Sequence, residues 1–154
     1  MIKLKPLIIS LLISLGTGAV SGFLTRNSMS VYQNLKQPPL SPPPALFPIV
    51  WTVLFFLMGI SAYLIYMSKS PKKHAALRLY VLQLAINFVW PLIFFLWHYY
   101  LFAFVWLVML WLLVALMIKQ FYKIDPVAAN LQVPYLVWLT FAAYLNLGVY
   151  LLNR

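Results

Sequence analysis

The sequence predicts an all-α membrane protein, a bundle of five transmembrane helices with a Pro-rich loop between helices one and two. Three observations carry this. Hydrophobic residues make up 65% of the chain and charged residues 8%, whereas about a quarter of a soluble domain is charged. Lipid must therefore be the solvent for most of this surface. Apolar runs near the ~20 residues that cross a hydrocarbon core as a helix recur along the chain. Lys and Arg cluster at the ends of those runs, as the positive-inside rule expects. A single transmembrane domain covering residues 1–154 is expected.

The first run, residues 6–25, carries no charge, and Arg26 follows it. Two readings fit. Lys3 and Lys5, the apolar stretch and Ala19-Val20-Ser21 resemble a signal peptide with a small-residue cleavage site. Alternatively, Gly18 and Gly22 form a Gly-xxx-Gly pair that permits close helix packing, within the chain or between two copies. A packed span is the reading adopted. The second run covers residues 46–67 and is closed by Lys69, Lys72, Lys73 and Arg78. Residues 79–118 carry no formal charge and are long enough for two spans. The division falls at Trp97-His98-Tyr99-Tyr100, because aromatic side chains favour the interface, giving spans 79–97 and 101–119. The fifth run, residues 126–152, opens with Asp125-Pro126, an N-cap followed by proline at the first helical position.

Five spans put the termini on opposite sides. Lys3, Lys5, Lys69, Lys72, Lys73, Arg78, Lys119 and Lys123 fall on the N-terminal side, and Arg26, Lys36 and Arg154 on the other. In a bacterial inner membrane this bias places the N-terminus in the cytoplasm and the C-terminus outside. The first loop then faces outward.

Much chemistry is excluded. Asp125 is the one carboxylate in the chain, so paired-carboxylate acid/base catalysis is not available. No span carries a central Asp, Glu or His of the kind proton-coupled transporters use. There is no cysteine, and His74 and His98 are far apart in sequence, which leaves no metal site. Neither a Gly-rich phosphate loop nor a basic face for nucleic acid is present. No permanently bound cofactor is expected.

What remains is aromatic and amide. On span three Tyr80, Gln83, Asn87 and Trp90 follow helical spacing. Asn87 falls near mid-membrane, where an amide needs a partner, so this face should point into the bundle. Pro91 deprives Asn87 of a backbone partner and is expected to kink the helix. On span five Tyr135, Trp138, Ala142, Asn146 and Val149 share a face, with Ala142 the small residue in it. On span two Trp51, Phe55 and Met58 do the same. These stripes fit either an aromatic core with satisfied amides or a ligand pocket. Trp97, Trp106 and Trp111 read as interface anchors or lipid-facing residues. The segment Lys36-Gln37-Pro38-Pro39-Leu40-Ser41-Pro42-Pro43-Pro44 should be extended and stiff. It fits a strap across the mouth of the bundle or a Pro-rich ligand for a soluble partner.

Together these residues resemble the translocator protein family, also called tryptophan-rich sensory proteins or peripheral benzodiazepine receptors. The matching stretches are Tyr32-x-x-Leu35-Lys36-x-Pro38-x-x-x-Pro42-Pro43, Phe47-Pro48-Ile49-Val50-Trp51-Thr52, Met58-Gly59, Gln83-Leu84-x-x-Asn87-x-x-Trp90 and Phe94-Phe95. The last is Pro134-Tyr135-x-x-Trp138-x-x-Phe141-Ala142-x-Tyr144-Leu145-Asn146, with Asn153 seven residues on. Their order and spacing cover essentially the whole chain.

The resemblance implies five membrane helices and a homodimer in the lipid bilayer. It implies a pocket opening toward the first loop that binds porphyrins, protoporphyrin IX among them, and synthetic ligands of the benzodiazepine-receptor class. Carried over by motif, the ligand-binding residues are Tyr32, Trp51, Asn87, Trp90, Trp138, Ala142 and Leu145. It further implies light-dependent breakdown of protoporphyrin IX, with Trp51 and Trp138 as the candidate catalytic residues. In that setting Trp51 and Trp138 offer aromatic faces and indole donors, Asn87 an amide donor, and Arg26 and Lys36 charge for the propionates. Passive movement of tetrapyrroles and a sensor or assembly role through another membrane protein stay open beside this. Leu147-x-x-Tyr150-x-x-x-Arg154 formally fits a loose sterol-recognition pattern, but such patterns do not assign sterol binding.

Overall fold

The computed structural model describes residues 2–154. Seven α-helices build the bundle, and five helical stretches are long and apolar enough to cross a membrane. Helix α1 (Leu4–Thr25) continues through a short 3-10 turn (Arg26–Ser28) into α2 (Met29–Gln33). The proline segment leads to α3 (Leu46–Tyr66). Then come α4 (Lys73–Pro91), α5 (Tyr100–Tyr122), α6 (Pro126–Leu131) and α7 (Val133–Asn153).

The helices form a closed ring. Helix α1 packs between α3 and α4, α5 packs between α4 and α7, and α6 reaches back to α3. The seam between α1 and α3 is the most intimate. Lys3 N donates to Tyr63 Oη at 2.8 Å and Ser10 Oγ to the Gly59 carbonyl at 2.6 Å. A Cβ at Gly59 would lie 2.6 Å from Ser14 Oγ and 3.2 Å from Leu11 Cα. One at Gly18 would lie 2.5 Å from the Phe55 ring. These glycines let two backbones approach, so Gly18 serves packing inside the chain.

Several boundaries differ from hydropathy. Helix α4 begins at Lys73, within the basic loop, because hydropathy marks the apolar part of a helix and not its end. Past Pro91 the helix widens into a π-turn, Leu92–Leu96, with Trp97 N bonded to the Leu92 carbonyl. This is where proline removes the regular donor. His98, at φ 59°, then turns the chain into α5. Asp125 caps α6 through Val127 N at 2.9 Å, as its sequence position predicts. The fifth span is broken at Gln132 into α6 and α7, because Pro134 at the start of α7 has no N–H to continue the ladder.

The proline segment runs beside α7. Lys36 exchanges two backbone hydrogen bonds with the Asn153 amide, at 3.0 and 2.7 Å. Tyr144 Oη donates to the Pro39 carbonyl at 2.7 Å. Pro38 is buried against Gly148, where a Cβ would meet its ring at 2.5 Å. The strap expected across the mouth is thus clamped along one wall, and the short helix α2 stands at the mouth instead.

Candidate functional site: an aromatic cavity between α1, α3, α4 and α7

A cavity of about 650 Å³ occupies the half of the bundle nearest α2. Its size falls within the range of small-molecule sites. Tyr32, Trp51, Asn87, Trp90, Trp138, Ala142 and Leu145 all line it. Part of each stripe read from the sequence therefore faces one space: Trp51 and Phe55 from α3, Asn87 and Trp90 from α4, and Trp138, Ala142 and Asn146 from α7.

The walls are aromatic rings in edge contact. Trp51 and Trp138 meet edge to face in the cavity wall, with centroids 6.4 Å apart and planes at 89°. Phe47 lies edge-on to Trp138 at 6.0 Å. Tyr32 contacts Phe47, Phe94 and Phe95 at 5.6–5.9 Å, which binds the α2 lid to α3 and to the π-turn. Trp90 stacks on Phe94 at 5.3 Å. Phe47, Phe94 and Phe95 line the cavity but were not among the predicted site residues. They stand in the matching motifs, which was the available signal.

The polar groups divide into those with a hydrogen-bond partner and one buried donor without one. Asn87 Nδ2 donates to Tyr135 Oη at 2.6 Å, and Tyr135 Oη donates to Gln83 Oε1 at 2.7 Å. This buried chain joins α4 to α7 and satisfies the amide in mid-membrane. One of the two Asn87 N–H groups is thereby turned to the protein, and the side chain still lines the cavity. Trp90 is engaged as well: Nε1 donates to Asn146 Oδ1 at 3.0 Å, and Asn146 Nδ2 donates to the Tyr100 carbonyl at 2.8 Å. Trp138 Nε1, by contrast, is buried with no hydrogen-bond partner among the described residues. A buried indole donor without a partner is costly, and this one belongs to a wall of the cavity.

Charge is sparse. Arg26 is the one charged residue in the lining. Its guanidinium lies 3.7 Å from the Phe23 ring centroid and donates to the Phe23 carbonyl at 2.5 Å. Lys36 is outside the lining, held by its backbone at the far end of α7. The pairing of Arg26 with Lys36 at the mouth is therefore not what the fold provides. No group of three or more His, Cys, Asp or Glu gathers among the described residues.

The other tryptophans sit apart from the cavity. Trp106 Nε1 donates to the Ile86 carbonyl and Trp111 Nε1 to Thr140 Oγ1, each at 2.8 Å, so both tie helices together rather than facing lipid alone. Trp97 is exposed beside His98.

Comparison with known proteins identifies the family. The TspO/MBR family model matches residues 9–152. A tryptophan-rich sensory protein of Cereibacter sphaeroides is 35% identical over 147 residues, which is 96% of this chain and 91% of the relative. A tryptophan-rich protein TspO of Archaeoglobus fulgidus is 34% identical over 152 residues, covering 98% and 99%. The human translocator protein is 34% identical over 140 residues, covering 89% and 83%. The five apolar helices, the matching motifs and these relatives together place the chain in the TspO/MBR family.

Proposed function

We propose that the protein is a membrane receptor for flat, apolar tetrapyrroles such as protoporphyrin IX, and that synthetic ligands of the benzodiazepine-receptor class compete for the same cavity. The observation that carries the reading is the edge-to-face pair Trp51 and Trp138 in the wall of an aromatic cavity, with the Trp138 indole N–H buried and unpartnered. A macrocycle gains contact with the ring faces. Trp138 Nε1 is buried without a partner, so a ring nitrogen or carboxylate accepts from it once the indole turns toward the cavity, which relieves a buried donor. Arg26, at the edge of the lining, is the group available to a propionate, once it leaves Phe23.

Titrating detergent-purified protein with protoporphyrin IX while following Trp fluorescence tests this. Saturable quenching that a benzodiazepine-receptor ligand reverses is expected. Purely linear quenching would sink the reading.

Light-dependent breakdown of the bound porphyrin is a second activity of the same site. The excited porphyrin takes an electron and a proton from an indole, giving a hydroporphyrin radical and an indolyl radical. The two couple, so that the indole and its hydrogen add across one double bond of the macrocycle and break its conjugation, with no further oxidant consumed. The lining holds no carboxylate, and its oxidisable groups include the indoles of Trp51 and Trp138 beside the Tyr32 phenol. Under illumination in air, the porphyrin bands of the wild-type complex should decay. In Trp51→Phe and Trp138→Phe they should decay several-fold more slowly, and equal rates in all three would remove the tryptophans from the reaction.

The proposed orientation in a bacterial inner membrane, N-terminus in the cytoplasm, rests on the eight bases at the α1 start and the two Lys-rich loops. The chain has no cysteine, so single-cysteine variants report cleanly. In intact cells a membrane-impermeant maleimide should label Ser41→Cys and spare Ser70→Cys. The reverse pattern would invert the topology.

A further inference from the structure

We propose that the cavity opens sideways into the hydrocarbon, between the strap-side halves of α1 and α3, and that its ligand enters from the bilayer through this gap. The inference rests on the porphyrin reading for the identity of the ligand and on geometry for the route.

The α1–α3 seam is closed over most of its length, from Lys3 on Tyr63 through Ser10 and Ser14 at Gly59 to Gly18 against Phe55. One turn further on it stops. A Cβ at Gly22 would meet nothing within 4 Å, although Gly22 lines the cavity. The opposing residues on α3, Pro48 and Thr52, line it too, and so does Ala19. All four are exposed, unlike Asn87, Trp90 and Ala142 deeper in. Each has a bulky apolar neighbour turned outward: Val20, Phe23, Ile49 and Val53 are 50–62% exposed. The gap therefore interrupts the lipid-facing surface of the bundle. Ala19 lies six residues before the end of α1, about 9 Å along the axis, so the opening reaches below the interface into the apolar zone.

The rim suits an amphiphile. Its deep part is small and uncharged, which lets a flat apolar body slide between the helices. Its upper end is Arg26, at interface level, where an acidic tail keeps its charge solvated while the ring system enters. The aqueous end is the more obstructed route. Tyr32, on α2, is 4% exposed and packed against Phe47, Phe94 and Phe95, and the strap is fixed to α7.

The test uses the full chain in phosphatidylcholine vesicles, with protoporphyrin IX dissolved in the membrane and quenching of Trp followed after rapid mixing. Gly22→Phe and Thr52→Phe plug the gap from opposite rims. Both should slow association and dissociation together, by tenfold or more, whereas damage to the site itself would speed dissociation. Tyr144→Phe with Asn153→Ala, which removes the side-chain hydrogen bonds that hold the strap on α7, should leave both rates unchanged. Unchanged rates in both plugged variants, or faster rates once the strap is released, would overturn the route. A ligand-free readout separates this from failure of the porphyrin reading. Vesicles of lipid brominated along the acyl chain should quench the Trp51 contribution, taken as wild type minus Trp51→Phe, and either plug should relieve it. Equal quenching with and without the plugs would overturn the gap even if porphyrin binds.

Discussion

Ala142→Phe should abolish saturable porphyrin binding, or weaken it by about tenfold or more, an effect of roughly 1.4 kcal/mol or greater, while the bundle stays folded. Ala142 sits on α7 one turn beyond Trp138, on the face that lines the cavity. It is 6% exposed, and its small side chain leaves space in front of the Trp51–Trp138 pair. A phenyl ring there occupies that space, and the apolar wall around Ala142 accepts it without burying a charge. Thermal stability should hold or rise slightly, since filling a cavity adds contacts. Unchanged quenching in Ala142→Phe would place the porphyrin elsewhere. Loss of quenching with a large fall in melting temperature would assign the effect to the fold.

Gly59→Leu should destabilise the bundle by about 3 kcal/mol, at the upper end for overpacking. The obstacle is partly backbone. A Cβ at this position meets Ser14 Oγ at 2.6 Å and Leu11 Cδ2 at 2.8 Å, which can swing away, but also Leu11 Cα at 3.2 Å, which cannot. The Gly59 carbonyl is also the acceptor for Ser10 Oγ, so separating the helices takes that hydrogen bond with it. Gly59→Ala should cost less, because one methyl needs a shift of only a few tenths of an ångström. Thermal unfolding in detergent reads both. A Leu variant that melts with wild type would show that α1 is not seated on α3 as described.

The periodic stripes explain how much of this site was legible from residue order. Tyr80, Gln83, Asn87 and Trp90 recur at helical spacing in an apolar run, and an amide in that setting has to face protein. All four are buried in the bundle. The same logic worked for Tyr135, Ala142, Asn146 and Val149. Partnership between stripes was not legible. Nothing in the sequence says that Tyr135 bridges Asn87 and Gln83, or that Trp90 gives its N–H to Asn146 and leaves Trp138 without a partner. Those outcomes depend on the rotation of α4 against α7 to within a fraction of a turn. The α1 wall was also silent, because Ala19, Gly22 and Thr25 act through being small. The strap's stiffness followed from its prolines, but its seat did not. That seat requires Tyr144, Gly148 and Asn153 to line up on α7, more than a hundred residues later in the chain.

The division among the six tryptophans offers the most direct test of the central claim. Label the protein with 5-fluorotryptophan, assign the six fluorine resonances by single Trp→Phe substitutions, and add protoporphyrin IX in the dark. Trp51 and Trp138 should shift or broaden in proportion to occupancy, and Trp90 to a smaller degree behind Phe94. Trp97, Trp106 and Trp111, which lie outside the cavity lining, should stay in place. Perturbation confined to Trp97, Trp106 and Trp111, with Trp51 and Trp138 unmoved, would contradict the cavity as the porphyrin site.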